Sequence, residues 1–170
     1  VGFGVVCVLL VASVVMGLMG MGRMGADLKA VVADHFPRIV AAANLSTQID
    51  VIAIALRNMM LNADAADRER QTQVIAQSRQ EVVRLFDTLD KTLTEPKDRA
   101  LLQNVKEQRA LYLAGQEELL GFIRSDQTDQ SREYLASKLR PVLASYKASI
   151  GALVESEKNA IVTAGTDARD

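Results

Sequence analysis

The distribution of apolar residues divides the chain into two parts. Residues 1–22 contain no charged side chain, whereas the sequence from Arg23 onward mixes charged and apolar residues at helical spacing. At about 1.5 Å per helical residue the uncharged segment spans roughly 33 Å, slightly more than the hydrocarbon core of a bilayer at about 30 Å. We therefore predict a transmembrane helix over residues 1–22. A cleaved secretory signal is the alternative, although its apolar core is usually only about 7–15 residues long.

Beyond this segment, apolar residues recur at alternating steps of three and four, which is typical of amphipathic helices that pack side by side. The first such run has Leu28, Val32, His35, Ile39, Ala42, Ile49, Ala53, Leu56 and Met60 along one face. Polar, turn-forming sequences separate it from three further runs. The pattern predicts helices over about 27–64, 68–94, 96–125 and 131–160. Pro37 and Pro141 fall inside the first and fourth helices, where a missing N–H should bend the backbone.

The short turns between these helices determine the predicted architecture. Long helices joined by short turns must run antiparallel to their neighbours. We predict an all-α fold, namely an antiparallel up-down-up-down four-helix bundle over residues 27–160, preceded by the one transmembrane helix. Residues 161–170 are interpreted as a truncated approach to a second membrane helix.

Composition argues against several classes of function. The 20 Lys and Arg and 21 Asp and Glu residues are interleaved along the chain, so nucleic acid is not an expected partner. The single cysteine, Cys7, lies in the uncharged segment, and the single histidine, His35, lies on a predicted apolar seam. The sequence has no catalytic triad, no Glu-x-x-His pair and no glycine-rich phosphate loop. We expect no enzymatic activity, no cofactor and no metal site.

Arginines on the apolar faces are the strongest signal of a binding site. Arg109 follows Val105 by four residues and precedes Tyr112 by three, so it shares a face with predicted core residues. Burying a guanidinium group is costly unless an anion neutralises it. Tyr112 and Tyr146 would add hydroxyl groups to the same interior. We predict an anion site formed by these residues with two weaker candidates that border other seams, Arg79 and Arg57. The alternative is that each arginine extends to water along a groove of the bundle.

Three segments resemble the four-helix-bundle ligand-binding domain of bacterial methyl-accepting chemotaxis receptors. They are HFPRIVAAANLSTQIDVIAIALRNMML, DRALLQNVKEQRALYLAGQEELLGFI and LRPVLASYKASI. The resemblance covers the chain from the membrane helix to about Ala160. It implies a homodimeric periplasmic sensor that is anchored in the inner membrane on both sides of the bundle. It also implies that the sensor signals through small displacements of its fourth helix.

The resemblance also bears on the ligand. Arg57-Asn58 looks like the Arg-Asn pair of the amino-acid receptors in this family, but Asn62 and Ala66 stand where further arginines would follow. Arg109-x-x-Tyr112 with Tyr146 instead looks like relatives that bind dicarboxylates or tricarboxylates. The function predicted is therefore a chemoreceptor sensor for a small organic anion. Two alternatives stay open: the sensor of a histidine kinase or cyclic-nucleotide signalling protein, and a ligand-free helical tether.

Overall fold

The computed structural model describes the backbone of residues 2–167 and the side chains of residues 32–166. Within that part the chain is helical apart from short turns and contains no strand, so the predicted all-α class is confirmed. The elements in chain order are α1 (Gly2–Leu61), α2 (Ala65–Thr92), α3 (Pro96–Arg124), α4 (Thr128–Tyr134), a π-helical turn (Leu135–Leu139) and α5 (Arg140–Asp167). The last three follow one another without a break and together form the fourth helix.

The chain divides into two compact units. One is Arg38–Glu157, which contains the four-helix bundle, and the other comprises Val1–Pro37 and Lys158–Asp170. The predicted membrane helix at residues 1–22 belongs to the second unit. Its backbone is helical from Gly2, but its side chains lie outside the described residues.

One helix in the described part, Val32–Leu61 near the N-terminus, is long and apolar enough to cross a membrane by length and composition alone. Four of its apolar side chains are almost completely buried in the bundle core, namely Ala42, Leu45, Ile49 and Leu56. The core helix of a bundle meets the same criterion of length and apolarity. We therefore interpret this segment as the first helix of the bundle.

The core consists mainly of side chains from the predicted apolar seams, and α1 buries a second row of side chains in addition to its predicted seam. Most seam positions of α2, α3 and the fourth helix are buried, including Val82, Leu89, Leu102, Leu119 and Leu153, whereas Leu135 and Val142 of the fourth helix are partly buried. On α1 a second row, formed by Leu45, Ile52 and Met59, is buried as well. The reason is that α1 contacts two neighbours, α2 through Asn58 and Gln71 and α5 through Asp50 and Lys147, so its apolar stripe must be wider than a single seam.

The turns at one end of the bundle are fixed by polar side chains. The carboxylate of Asp64 accepts a hydrogen bond of 2.7 Å from the backbone N–H three residues later and so caps α2. Arg68 Nε donates to the carbonyl oxygens of Met59 at 3.3 Å and Asn62 at 3.2 Å, which satisfies the free end of α1. Its Nη1 also bonds Asp126 in the turn after α3 at 2.8 Å. One arginine thus links both turns.

The effect of Pro141 takes the form of the π-helical turn that precedes it. Arg140 donates its N–H to the carbonyl of Leu135, five residues back, and the next residue, a proline, has no N–H to continue the usual pattern. Leu139 of this turn lies directly against α3 at Gly115, where a Cβ atom would be only 2.7 Å from Leu139 Cδ1. Glycine at this position therefore permits the close approach of the fourth helix to α3.

Candidate functional site

All four helices contribute to one cavity in the middle of the bundle. It is lined by Ile49 and Ile52 of α1, Arg79 and Val82 of α2, Arg109, Tyr112, Leu113 and Gln116 of α3, and Tyr146 of α5. Four of the five residues predicted for the anion site are therefore brought together. The fifth, Arg57, does not line this cavity.

Arg109 has no anionic partner within the described part of the chain. Its side chain is half-buried, and its guanidinium group lies over Phe86, whose ring centroid is 5.2 Å from Cζ. A cation–π contact stabilises by about 0.5–2 kcal/mol, depending on how far the charge is desolvated. That is less than a hydrogen-bonded carboxylate would provide at a buried position.

Tyr112 and Tyr146 bring two phenolic hydroxyls into the same cavity. Their side chains are 2% and 1% exposed, and their ring centroids are 5.8 Å apart. Both hydroxyl oxygens are buried without a hydrogen-bond partner. Leaving a buried hydroxyl unpaired costs about 1–3 kcal/mol. The pair is therefore a costly arrangement if it serves the fold alone.

Burial keeps both hydroxyls protonated. It raises the pKa of Tyr112 to about 12, with Gln116 and the positive charge of Arg57 offsetting part of the rise, although the Gln116 amide does not reach hydrogen-bond geometry with the hydroxyl. Burial also raises the pKa of Tyr146, and the charge of Arg109 offsets part of that rise. Each tyrosine is therefore a neutral O–H donor at physiological pH.

Arg79 differs from Arg109 because protein groups already accept its hydrogen bonds. Its Nε and Nη2 lie 3.2 and 2.6 Å from Oε1 of Gln116, and Nη2 lies 2.8 Å from Oε1 of Glu117. Gln116 is almost fully buried, whereas the Glu117 side chain is 55% exposed. The guanidinium group thus connects the cavity to the surface.

Arg57 is exposed, and it acts on the cavity only through its charge, which lowers the pKa of Tyr112. Asp50 acts in the opposite sense on the same hydroxyl and is itself paired with Lys147 at 2.8 Å. The positive potential around Tyr112 therefore comes from Arg57 and Arg79, and Asp50 offsets part of it.

Two functional candidates were missed from the sequence, Gln116 and Phe86. Gln116 lies four residues after Tyr112 and seven after Arg109, so helical spacing alone would have placed it on the same face. A polar residue at a core position of the seam was the available signal. Phe86 carried no such signal, because its contact with Arg109 joins two different helices.

The cavity is small. Its volume is about 10 Å³, which is room for about one water molecule. An organic anion can enter only if side chains or helices move apart. The geometry therefore describes a compact, positively charged interior that must open to bind.

The chain matches one known protein family over nearly its whole length. The family described as "Four helix bundle sensory module for signal transduction" matches residues 1–168. The chain belongs to this family. The resemblance predicted from three sequence segments is thereby confirmed, and the four-helix bundle sensory module is one found in chemotaxis receptors. No curated protein matches the chain.

Membership of this sensory family bears on what the cavity does. Modules of this family act in signal transduction and are generally not catalytic. Among side chains 32–166, no three His, Cys, Asp or Glu residues converge where they could hold a metal ion. The family thus assigns the module a sensory role in signal transduction.

Proposed function

We propose that this sensory module recognises a small organic anion, a dicarboxylate or tricarboxylate, in the central cavity. Arg109 would pair with a carboxylate, and Tyr112 and Tyr146 would donate hydrogen bonds to it. The module would serve a chemoreceptor as a periplasmic domain anchored in the inner membrane, with the bound anion as its input.

The observation that carries this proposal is the unpaired state of three polar groups in one cavity. Arg109 makes no ion pair or hydrogen bond to any described residue, and the hydroxyls of Tyr112 and Tyr146 have no partner. Buried polar groups in folded proteins are almost always hydrogen-bonded, so each exception needs an explanation. One carboxylate would satisfy all three, because it accepts several hydrogen bonds and neutralises the guanidinium group.

The signal would pass through the fourth helix. Tyr146 belongs to α5, whereas Arg109 and Tyr112 belong to α3, so an anion held by all three would connect these two helices. Lys147, the next residue, already connects α5 to Asp50 of α1 at 2.8 Å. A ligand shifts an equilibrium only if it binds one arrangement more tightly than the other. We propose that binding moves α5 relative to α1 and α3 by a small displacement.

A homodimer would form through α1. Small side chains permit close helix approach; of those on this helix, Ala43 is exposed, whereas Ala41, Ala42, Ala53 and Ala55 are buried inside the bundle. The surface of α1 instead presents an exposed row at seven-residue spacing, formed by Val40, Thr47, Ile54 and Leu61. A row with that period corresponds to one of the two heptad positions, a and d, that form the seam of a coiled coil. Sedimentation of Ile54→Lys, with Val83→Lys as a matched exposed control, tests this interface.

Calorimetry with Arg109→Ala tests the proposed function. A panel of mono-, di- and tricarboxylates should contain an acid that binds the wild-type chain, and the variant should lose about 2–5 kcal/mol of binding, or roughly 30-fold to several thousand-fold in affinity. At about 100 times its dissociation constant this acid should stabilise the wild type by about 2.7 kcal/mol, and the variant should show a rise in melting temperature at most about a third as large. Normal binding by Arg109→Ala would contradict the site.

The small cavity favours a second candidate, a helical tether that takes no ligand. A volume of about 10 Å³ is what a packed structural bundle would also leave between its helices. The same calorimetric panel separates the two functions, because the tether binds none of the acids. Circular dichroism of every variant would show that loss of binding is not loss of fold.

A further inference from the structure

The contact between Arg79 and Gln116 distinguishes the two arginines of the cavity. Arg109 is without an acceptor, whereas Arg79 is occupied by a buried amide oxygen of the protein. We propose that Gln116 determines ligand specificity: its amide oxygen holds Arg79 in the cavity and is replaced there by the second carboxylate of a dicarboxylate ligand. This inference rests on the proposed function of the cavity.

The chemistry of the acceptor supports the exchange. Gln116 Oε1 receives two hydrogen bonds from Arg79, at 3.2 and 2.6 Å, in the way one carboxylate oxygen would. An amide oxygen is neutral, however, and hydrogen bonds to an ionised acceptor are roughly twice as strong as those to a neutral one. A ligand carboxylate is therefore a better partner for Arg79 than the amide that it replaces.

The distance along α3 between Arg109 and Gln116, which holds Arg79, favours one class of ligand. Gln116 and Arg109 are seven residues apart on α3, which is about 10 Å along the helix axis, and Tyr112 lies between them. The wall across from them is apolar, formed by Ile49, Ile52 and Val82. This arrangement suits two carboxylates joined by a short carbon chain. A monocarboxylate would engage Arg109 and leave the Arg79–Gln116 contact intact.

The same side chain limits the volume of the cavity. Gln116 is 1% exposed, and the cavity beside it has a volume of about 10 Å³, so rotation of the amide away from Arg79 creates space and frees a cation in one step. Glu117 retains its bond of 2.8 Å to Nη2 and keeps the guanidinium group in place while Gln116 moves. Ligand occupancy thereby becomes linked to a contact between α2 and α3.

Succinate and butyrate test the proposal, because they share a four-carbon chain and differ by one carboxylate. Calorimetry would use the full chain in detergent micelles. The wild type should bind succinate at least about tenfold tighter than butyrate, the equivalent of one charge-assisted hydrogen bond. Gln116→Glu supplies a permanent carboxylate to Arg79, so it should weaken succinate at least about tenfold and change butyrate less than about threefold.

Two further variants complete the experiment. Gln116→Met keeps the volume of the side chain but removes the acceptor, so it should tighten succinate binding by about threefold to tenfold. It also keeps the test decisive if Gln116→Glu does not fold, as judged by circular dichroism. Gln80→Glu adds the same charge next to Arg79 in sequence, but on the exposed surface of α2. Both affinities should be unchanged in this control.

The outcomes distinguish failure of the role of Gln116 from failure of the anion site. If Arg109→Ala loses both acids while the Gln116 variants keep the wild-type ratio of succinate to butyrate affinity, the role of Gln116 is wrong and the anion site stands. If Arg109→Ala binds both acids normally, the proposed function fails as well. If the wild type binds neither acid, the dicarboxylate assignment is overturned, and the wider panel decides the function of the cavity.

Discussion

Two polar clusters are buried in the same bundle, and they differ in how their groups are paired. Arg38 of α1 and Glu157 of α5 form an ion pair at 3.7 Å, with side chains 5% and 0% exposed. Beside them in sequence and fold, Ser156 Oγ donates to Asp98 Oδ1 at 2.8 Å. In the central cavity, by contrast, Arg109 has no carboxylate partner among the described residues, and two tyrosine hydroxyls have none at all.

The difference separates a structural role from a binding role. A buried ion pair with its partners in place fixes which helices lie side by side and in which register. The hydroxyls of Tyr112 and Tyr146, which are buried to a comparable depth without a partner, lower the stability of the free protein, which is the usual situation at a site that must bind a ligand. Burial alone therefore does not identify a site in this bundle; the presence of an oppositely charged partner separates Arg38 from the half-buried Arg109.

The largest effect is expected from breaking the paired cluster. Glu157→Gln removes the negative charge from a buried ion pair and should lower the free energy of unfolding by up to about 3–5 kcal/mol. Urea denaturation followed by circular dichroism measures the loss. The exposed pair of Lys91 and Asp87 provides the control, since Lys91→Ala should cost at most about 0.5 kcal/mol. A loss below about 1 kcal/mol for Glu157→Gln would mean that this buried ion pair stabilises the fold no more than an exposed ion pair does.

A smaller effect is expected from the tyrosines at alkaline pH. The pKa of Tyr112 rises from 10.0 to about 12 through burial, so the folded protein keeps this proton while the unfolded chain loses it above pH 10. The stabilisation is complete below pH 10 and is lost as the pH rises to about 12, with a total of about 3 kcal/mol. Unfolding in urea between pH 9 and 11 should show a slope that is shallower in Tyr112→Phe by up to about 1.4 kcal/mol per pH unit.

Tyr134 provides a comparison for the alkaline unfolding measurement. Its pKa is also raised, first by burial and then by Glu118, but its side chain is only half-buried. Tyr134→Phe should therefore change the alkaline slope less than Tyr112→Phe does. Equal slopes in the two variants and the wild type would show that the cavity does not hold Tyr112 in its protonated form.

The smallest effect on stability is expected at the cation of the cavity. Arg109→Met removes a charge that has no carboxylate partner and keeps an apolar stem, so the only loss is the contact with Phe86. The free energy of unfolding should change by less than about 1 kcal/mol. Differential scanning calorimetry of the ligand-free chain measures it. A loss comparable to that of Glu157→Gln would mean that Arg109 stabilises the fold, and the distinction between the two clusters would disappear.

The fold was within reach of the sequence because its signals are local and periodic. The apolar seams, the polar breaks and Pro96 at the start of α3 each depend on residues only a few positions apart, and they agree with one another. Pro141 likewise predicted an irregularity in the backbone of the fourth helix. Its form, a π-helical turn seated against Gly115, depended on a second helix and could not be inferred from local spacing.

The site was predictable only as a set of candidates. Sequence alone determined that Arg109, Tyr112 and Tyr146 belong to apolar faces, because helical periodicity assigns each residue to a face. Only the tertiary structure decided which groups those faces bring together: Gln116 on Arg79, Phe86 beneath Arg109, and Arg57 outside the cavity. The physical reason is that pairing between helices depends on their relative rotation and on side-chain reach, which are properties of the packed core and not of any one segment.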